Sequence, residues 1–598
     1  MGQPGAALRG VPFRIGRGGV RATEPVDGVT CRRAKFLVHL SSSVVSRPGP
    51  RGVHPNEPQQ CTGDALLWPR AARASFTAAM RIGLAFVLLL GTRAQLEIRV
   101  DDRTVIYNGG ANYTASLQFC DQHNIPDADA CAWDILQTSG ATNGQLIQEA
   151  WALLPDAYVD VKQARATVSE LQRRVSSLTP FALDDDSVPV LQPHWRLAFS
   201  GGTGDEVSSI LRGWGRLYSH ALFHALAEPH VRRSRPRVGF ASSWFCNSAI
   251  GRLYTGLLEK IDKSKFDVYV FHVREPSGRL KRDFFTDAID AVSTSQVLPR
   301  DLSEARAIIA SSQLDILVFT DIGMEPFTYA LAFSRFAPVQ CVFWGHPTTS
   351  GIPGHAIDYY VVMDAAEDDR GYSRYAEQLV RLDTLGAFYF SNESGQYRPS
   401  KKREDYAQEM DLPSSGHIYA IPQHCLKFHP MFDEALVKIL ALDRDAILVV
   451  KNCSTSIRVE ERLAKSIDIS GRIIRVPQLS LQDYVRLFGG SHVALETFPF
   501  GGSITSLDAF EGGTPVVSMK QFRGRPALTV ALYDIMNLSC CVASDIDDYV
   551  QKTISIASDP SLRASIRSSL DAARFRLYES TDAVLEIEAF FSRSLKLS

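Results

Sequence analysis

The residues best placed to do chemistry lie in one run, LETFPFGGSITSLDAFEGGTPVVSM, residues 495–519. An apolar strand pattern ends near Thr497, and Gly501 and Gly502 follow it. Glycines carry no Cβ, so the backbone there can approach a ligand closely. Ser503 or Thr505 is placed to cap the helix that the next apolar spacing predicts. A helix start presents free N–H groups and the positive end of the peptide dipole, which suits a diphosphate. Asp508, about one turn in, is placed to accept hydrogen bonds from ribose hydroxyls. Gly512 and Gly513, ahead of Thr514-Pro515, end that helix sharply. The same letters also fit a glycine-tight strand-to-helix turn with no ligand.

The elements that must hold this run alternate along the chain. From Arg237 the strand patterns RVGFAS, FDVYVFHV, LDILVFTD, QCVFWG and DYYVVM are separated by helical stretches such as IGRLYTGLLEKI and TYALAFSRF. The texture restarts near His417 with HIYAIP, AILVVKN, RIIRVP, VALETF and TPVVSM. Strands alternating with helices predict parallel sheets covered on both faces. Two such units in series predict an α/β chain with two Rossmann-like, doubly wound domains facing a cleft. The first lobe is expected at 231–395 and the second at 396–598, joined near the polar stretch SNESGQYRPSKKRED. Residues 95–230 read as a small mixed, mostly helical region. In it LEIRV and RTVIYN form two short strands, and apolar spacing predicts helices over 144–176 and 204–227.

The 598 residues are 45% apolar and 22% charged with a net charge of −2, which gives no basic surface for nucleic acid. No apolar run reaches the roughly 20 residues of a membrane-spanning helix. Residues 80–94, a basic residue, a short apolar core and small residues, read as a secretory signal with Met80 as the start. A buried core strand or a transit peptide are the alternatives. Residues 1–79, rich in Arg, Gly and Pro, read as an unstructured leader that lies outside the translated protein if Met80 begins it. The expected location is then the secretory lumen, and otherwise the cytoplasm. In a luminal setting Cys120 and Cys131 are expected to pair. No cysteine or histidine cluster has metal-ligand spacing, and no metal is expected. The acidic runs Asp184-Asp185-Asp186 and Glu367-Asp368-Asp369 read as solvated loops or caps.

The 495–519 block resembles the nucleotide-sugar site of the O-GlcNAc transferase/SPINDLY family, whose members share the two-lobed GT-B fold. The likeness continues in RVGFASSWFCNSAIGRL (237–253), DIGMEPFTYALAFSRFAPVQCVFWGHPTTSGI (321–352), IPQHCLKFHP (421–430) and FRGRPALTVALY (522–533). The family's tetratricopeptide array is missing from the sequence. The resemblance implies an inverting, metal-independent transfer of GlcNAc from UDP-GlcNAc to Ser/Thr hydroxyls of protein or peptide acceptors. The UDP-sugar is then a substrate and no cofactor is implied. GDP-fucose or UDP-glucose as donor, or a catalytically impaired nucleotide-sugar-binding protein, are the alternatives.

Roles follow by resemblance. Lys427 matches the lysine that contacts the donor diphosphate and neutralises leaving-group charge. Gln423 matches a polar contact to base or phosphate, Tyr484 an aromatic against the uracil, Thr505 a phosphate-contacting hydroxyl and Asp508 the ribose ligand. Arg525 matches a family arginine without an assigned role. Two departures stand out. Asn247-Ser248 replaces an Asn-His stretch, and serine is no base at neutral pH. Ser503-Ile504 stands where relatives carry His or Asn. His346 and Asp315 are the fallback candidates for catalysis, and Ser248, Thr348, Thr349 and Ser350 are expected on the acceptor side of the cleft.

Overall fold

The structure, a computed structural model, describes residues 96–100, 103–122, 128–139, 141–181, 190–222, 233–344, 348–353, 356–391, 402–453, 456–520 and 522–597. The expected leader, the 80–94 segment, Asp184-Asp185-Asp186, most of the interlobe linker and His346 lie outside the described residues.

Two fully parallel sheets carry the fold. The first contains β3 (Arg237–Ser242), β4 (Asp267–Val273), β5 (Thr294–Leu298), β6 (Ile316–Phe319), β7 (Val339–Phe343), β8 (Tyr359–Met363) and β9 (Gln378–Leu382). They follow β1 (Leu96–Val100) and β2 (Arg103–Tyr107), an antiparallel pair. Spatial order in the first sheet is β5-β4-β3-β6-β7-β8-β9. The second sheet contains β10 (His417–Ile421), β11 (Ala446–Lys451), β12 (Ile473–Val476), β13 (Val493–Leu495), β14 (Val516–Met519) and β15 (Val542–Ala543). Its order is β12-β11-β10-β13-β14-β15. Central strands such as β6 and β7 are buried at every position, as sheets covered on both faces require. Strand order reverses between β3 and β6 and between β10 and β13. Crevices at the carboxyl ends of such switch points are where α/β sheets take ligands. Edge strands β5 and β9 escape the sequence pattern because they are polar: TSQVL buries one residue and QLVRL two.

The region ahead of the lobes is helical after its hairpin. The single helix expected over 144–176 is two, Asn143–Ala152 and Val161–Ser177, with Pro155 in the break. Proline lacks the N–H and restricts its predecessor, so the helix stops there. Cys120 and Cys131 form a disulfide. The helix Gly204–Leu222 packs against the first lobe so tightly that a Cβ on Gly215 would lie 2.0 Å from the carbonyl oxygen of Gly351. No helix among the described residues is long and apolar enough to cross a membrane.

The last helix, Thr581–Leu597, leaves the second lobe and packs on the first, so the expected second-lobe span of 396–598 ends early. Its stripe of Ala583, Val584, Ile587, Phe590 and Phe591 is fully buried. The Phe591 ring lies 6.0 Å from Phe266 and 6.4 Å from both Phe240 and Phe343. Glu588 accepts from the Asp262 N–H at 2.8 Å and Lys265 Nζ at 2.9 Å. Removing a buried aromatic leaves a cavity, so Phe591→Ala should cost about 3–5 kcal/mol of unfolding free energy in a urea titration. A loss below about 1 kcal/mol would mean that this helix does not seal the first lobe.

Candidate active site

Just past β13, the buried carboxylate of Glu496 organises the glycine turn. It accepts from the Gly502 N–H at 2.6 Å, from Thr529 Oγ1 at 2.5 Å and from the Ser518 hydroxyl. A Cβ on Gly501 would lie 2.3 Å from Glu496 Oε1, and one on Gly502 would lie 2.6 Å from Ser506 Oγ. The turn therefore needs both glycines for contact reasons. Burial pushes the Glu496 pKa up, and its donors and the Lys427 charge pull it back.

Ser503 occupies the N-cap position of the helix Ile504–Glu511, but its side chain makes no capping bond. Thr505 does not cap either: its hydroxyl accepts from Gln423 Nε2 at 2.9 Å. Gln423 in turn accepts from Lys427 Nζ at 2.9 Å, and the same ammonium donates to the Gly501 carbonyl at 2.7 Å. Lys427, Gln423, Gly501, Gly502 and Thr505 thus form one connected group at the carboxyl ends of β10 and β13. Burial lowers the Lys427 pKa to about 8, opposed by the nearby Glu496 charge, so the ammonium still dominates at neutral pH. The turn bearing Lys427 is tied to the end of β11 by a Cys425–Cys453 disulfide. Sequence reading missed that pair, because only the pairing of β10 with β11 brings the two cysteines together.

Asp508 is not open to a ribose in this arrangement. Both its oxygens are engaged by Arg252 of the first-lobe helix Ala249–Lys260, with Nη1 at 3.2 Å, and both residues are buried. Arg252 also lies 5.2 Å from the Tyr389 ring. Tyr484 is partly buried on the helix Leu481–Gly490, and its pKa is raised by burial and by the Asp508 charge. Arg525 is buried and donates from Nη2 to the Ala198 carbonyl at 2.5 Å, with burial depressing its pKa to about 10. It anchors the region ahead of the lobes.

The expected acceptor side is mostly structural. Ser248 is the N-cap of its helix: its hydroxyl accepts from the Gly251 N–H at 3.2 Å and donates to the Trp244 carbonyl at 2.7 Å. Thr349 and Ser350 are buried and donate to Glu377. The Thr348 N–H donates to Tyr360 at 3.3 Å. Asp315 accepts from the Arg237 N–H at 2.8 Å, at the amino ends of β3 and β6 and so at the edge away from the switch point. Glu367 is no solvated loop residue: it is buried, accepts from Tyr375 at 2.5 Å, and burial raises its pKa to about 7.

Sequence reading also missed Asp321, which follows β6. Its Oδ2 accepts from Ser242 Oγ at 3.0 Å and the Ser243 N–H at 2.8 Å, at the carboxyl end of β3. The buried Thr328 hydroxyl also interacts with this carboxyl. Burial raises its pKa to about 7, against those hydrogen bonds. The available signal was an acidic residue immediately after the LVFT strand pattern at a switch-point strand.

No family model matches the chain. Among curated proteins it is similar to SPINDLY of Hordeum vulgare, described as a probable UDP-N-acetylglucosamine–peptide N-acetylglucosaminyltransferase, with 25% identity over 386 residues, 62% of this chain and 39% of that protein. SPINDLY of Arabidopsis thaliana is 25% identical over 391 residues, covering 62% of this chain and 40% of that one. The match therefore spans about two fifths of the length of these relatives. Among solved structures, a mutant of the Thermobaculum terrenum O-GlcNAc transferase superposes with a TM-score of 0.59 at 20% identity, covering 81% of this chain and 88% of that one. The chain has the GT-B fold, and in sequence it is similar to the SPINDLY glycosyltransferases.

Proposed function

We propose that the chain transfers GlcNAc from UDP-GlcNAc to Ser or Thr hydroxyls of proteins, with inversion and without a metal. The observation that carries this reading is the clasp of Lys427 on the glycine turn, linked through Gln423 to Thr505 at a helix start. Breaking a sugar–phosphate bond drives negative charge onto the departing nucleotide. A fixed ammonium beside free helix-start N–H groups stabilises that charge more in the transition state than before it. The acceptor oxygen attacks the anomeric carbon from the face opposite the departing UDP, and its proton must go to a base. Asp321 is the group best suited, with a buried carboxyl at the carboxyl end of β6 and a pKa near neutrality.

A second reading, a donor-binding protein with impaired transfer, is favoured by Ser248, which serves as a helix cap and supplies no imidazole. UDP-glucose or GDP-fucose remain alternative donors. Incubating the purified chain with each of the three donors and a Ser/Thr peptide, then weighing the peptide, separates these readings. GlcNAc addition that persists in EDTA is expected. Lys427→Ala should lower kcat by about a hundredfold or more. Donor binding without any product would favour the second reading.

Asp321 gives a pH test. The folded chain keeps this proton up to about pH 7, whereas an unfolded Asp releases it near 3.8, so ionisation opposes folding increasingly across that window. Asp321→Asn should therefore gain stability relative to the parent as pH rises from about 5 to about 8, and should lose about a hundredfold or more in kcat. A stability difference that does not move with pH, or an unaffected kcat, would remove Asp321 as the base.

The two disulfides support a luminal location, since such bonds persist in oxidising compartments. A mature amino terminus near Gln95 is the expected result of sequencing the secreted protein. An intact terminus upstream of Met80 would place the protein elsewhere.

A further inference from the structure

The region ahead of the lobes contributes one helix, His194–Ala198, to the neighbourhood of Lys427. Three contacts fix it. The buried His194 ring lies 3.0 Å from the Ser350 carbonyl, Arg196 donates to the Leu154 carbonyl at 2.8 Å, and Arg525 donates to the Ala198 carbonyl at 2.5 Å. The helix thereby holds Trp195 partly exposed, with its ring 5.4 Å from the exposed His424 ring at 81°. Phe199, one turn on, lies 5.2 Å from Trp195 and 5.1 Å from Phe500, and Phe500 lies 5.2 Å from Lys427 Nζ.

These contacts run in one series, from Thr505 through Gln423 and Lys427 to Phe500, Phe199 and Trp195. Asp508 lies one turn beyond Thr505 on the helix Ile504–Glu511, and its charge acts on Tyr484. A nucleotide sugar has the same linear order: base, ribose, diphosphate, hexose. With the diphosphate at the glycine turn and the nucleoside toward Tyr484, the hexose falls on the Lys427 side. We propose that Trp195, with His424, is the platform against which the hexose of the donor rests. This rests on reading Lys427 and the glycine turn as the diphosphate site.

The chemistry fits. One face of a pyranose presents weakly positive C–H groups, and an indole face carries the negative lobe of its quadrupole. The His424 ring, packed against Trp195 and Phe199, loses part of its hydration, and this with the Lys427 and Lys451 charges pushes its pKa down to about 4, so it adds a second uncharged ring. Ligand sites pair such apolar walls with a few fixed polar groups. The plainer role for Trp195 is a wedge between the helical region and the second lobe, and the experiment separates the two.

Calorimetry on the full chain with UDP and with UDP-GlcNAc is the test. Trp195→Ala should leave the UDP Kd within about twofold and weaken UDP-GlcNAc about tenfold. Trp195→Phe should keep most of the affinity, and His424→Ala should repeat the selective loss more weakly. Equal loss of UDP and UDP-GlcNAc would make Trp195 a structural wedge and overturn the platform. Unchanged donor affinities with a raised KM for the peptide would assign it to the acceptor and overturn it equally. If the parent binds no UDP, the diphosphate site itself fails and the platform falls with it.

Discussion

The buried carboxylate of Glu496 is the constraint on which the site depends. It satisfies the Gly502 N–H and two hydroxyls, and it faces the ammonium of Lys427. An unpaired buried carboxylate is expensive, and this one is offset by three donors and a cation. Burial drives Glu496 toward its protonated form and Lys427 toward its neutral form, and each charge resists the change in the other. The charge that could balance a departing diphosphate is thus maintained by a residue out of reach of solvent. The glycines follow from the same contact, since the carboxylate occupies the space a Cβ at 501 would need.

The cleft is shaped by parts of the chain far apart in sequence. The return helix seals the first lobe with Phe591, the helix His194–Ala198 is held by both lobes, and Arg252 reaches across to Asp508. In a buried ion pair, removing one partner costs more than the pair contributes, because the other charge is stranded. Any ribose that takes Asp508 must therefore leave Arg252 a replacement partner. The Tyr389 ring, 5.2 Å from the Arg252 guanidinium, is one neighbour already in place on the first lobe.

What the sequence made legible was local. Central strands such as LDILVFTD and AILVVKN read correctly because strands buried on both faces are continuous apolar runs. The strand-to-helix turn at Gly501-Gly502 was legible, because adjacent glycines mark a tight turn between a strand and a helix, although neither Ser503 nor Thr505 caps the helix as expected. Polar edge strands such as TSQVL carry no such signature, so they were invisible. Partnerships across the lobes were equally hidden. Nothing near Asp508 in sequence announces Arg252, and Ser248 as a helix cap looks no different from Ser248 as a cleft residue. Asp315 and Asp321 illustrate the limit, since both flank β6 and only topology tells which end meets the cleft.

The missing histidine at position 248 bears on mechanism less than it first suggests. Proton removal by a general base contributes about a hundredfold to ten-thousandfold, whereas fixed charges on the leaving group carry the larger share of such transfers. In the proposed transfer the latter would fall to Lys427, held by Gln423 and the Gly501 carbonyl. The chain also offers a carboxyl at the switch point of the first sheet, whose burial places its proton affinity near neutrality. Under the proposed function, with Asp321 on the first lobe and Lys427 on the second, a serine at 248 that caps its helix leaves acid–base work and charge stabilisation to other residues.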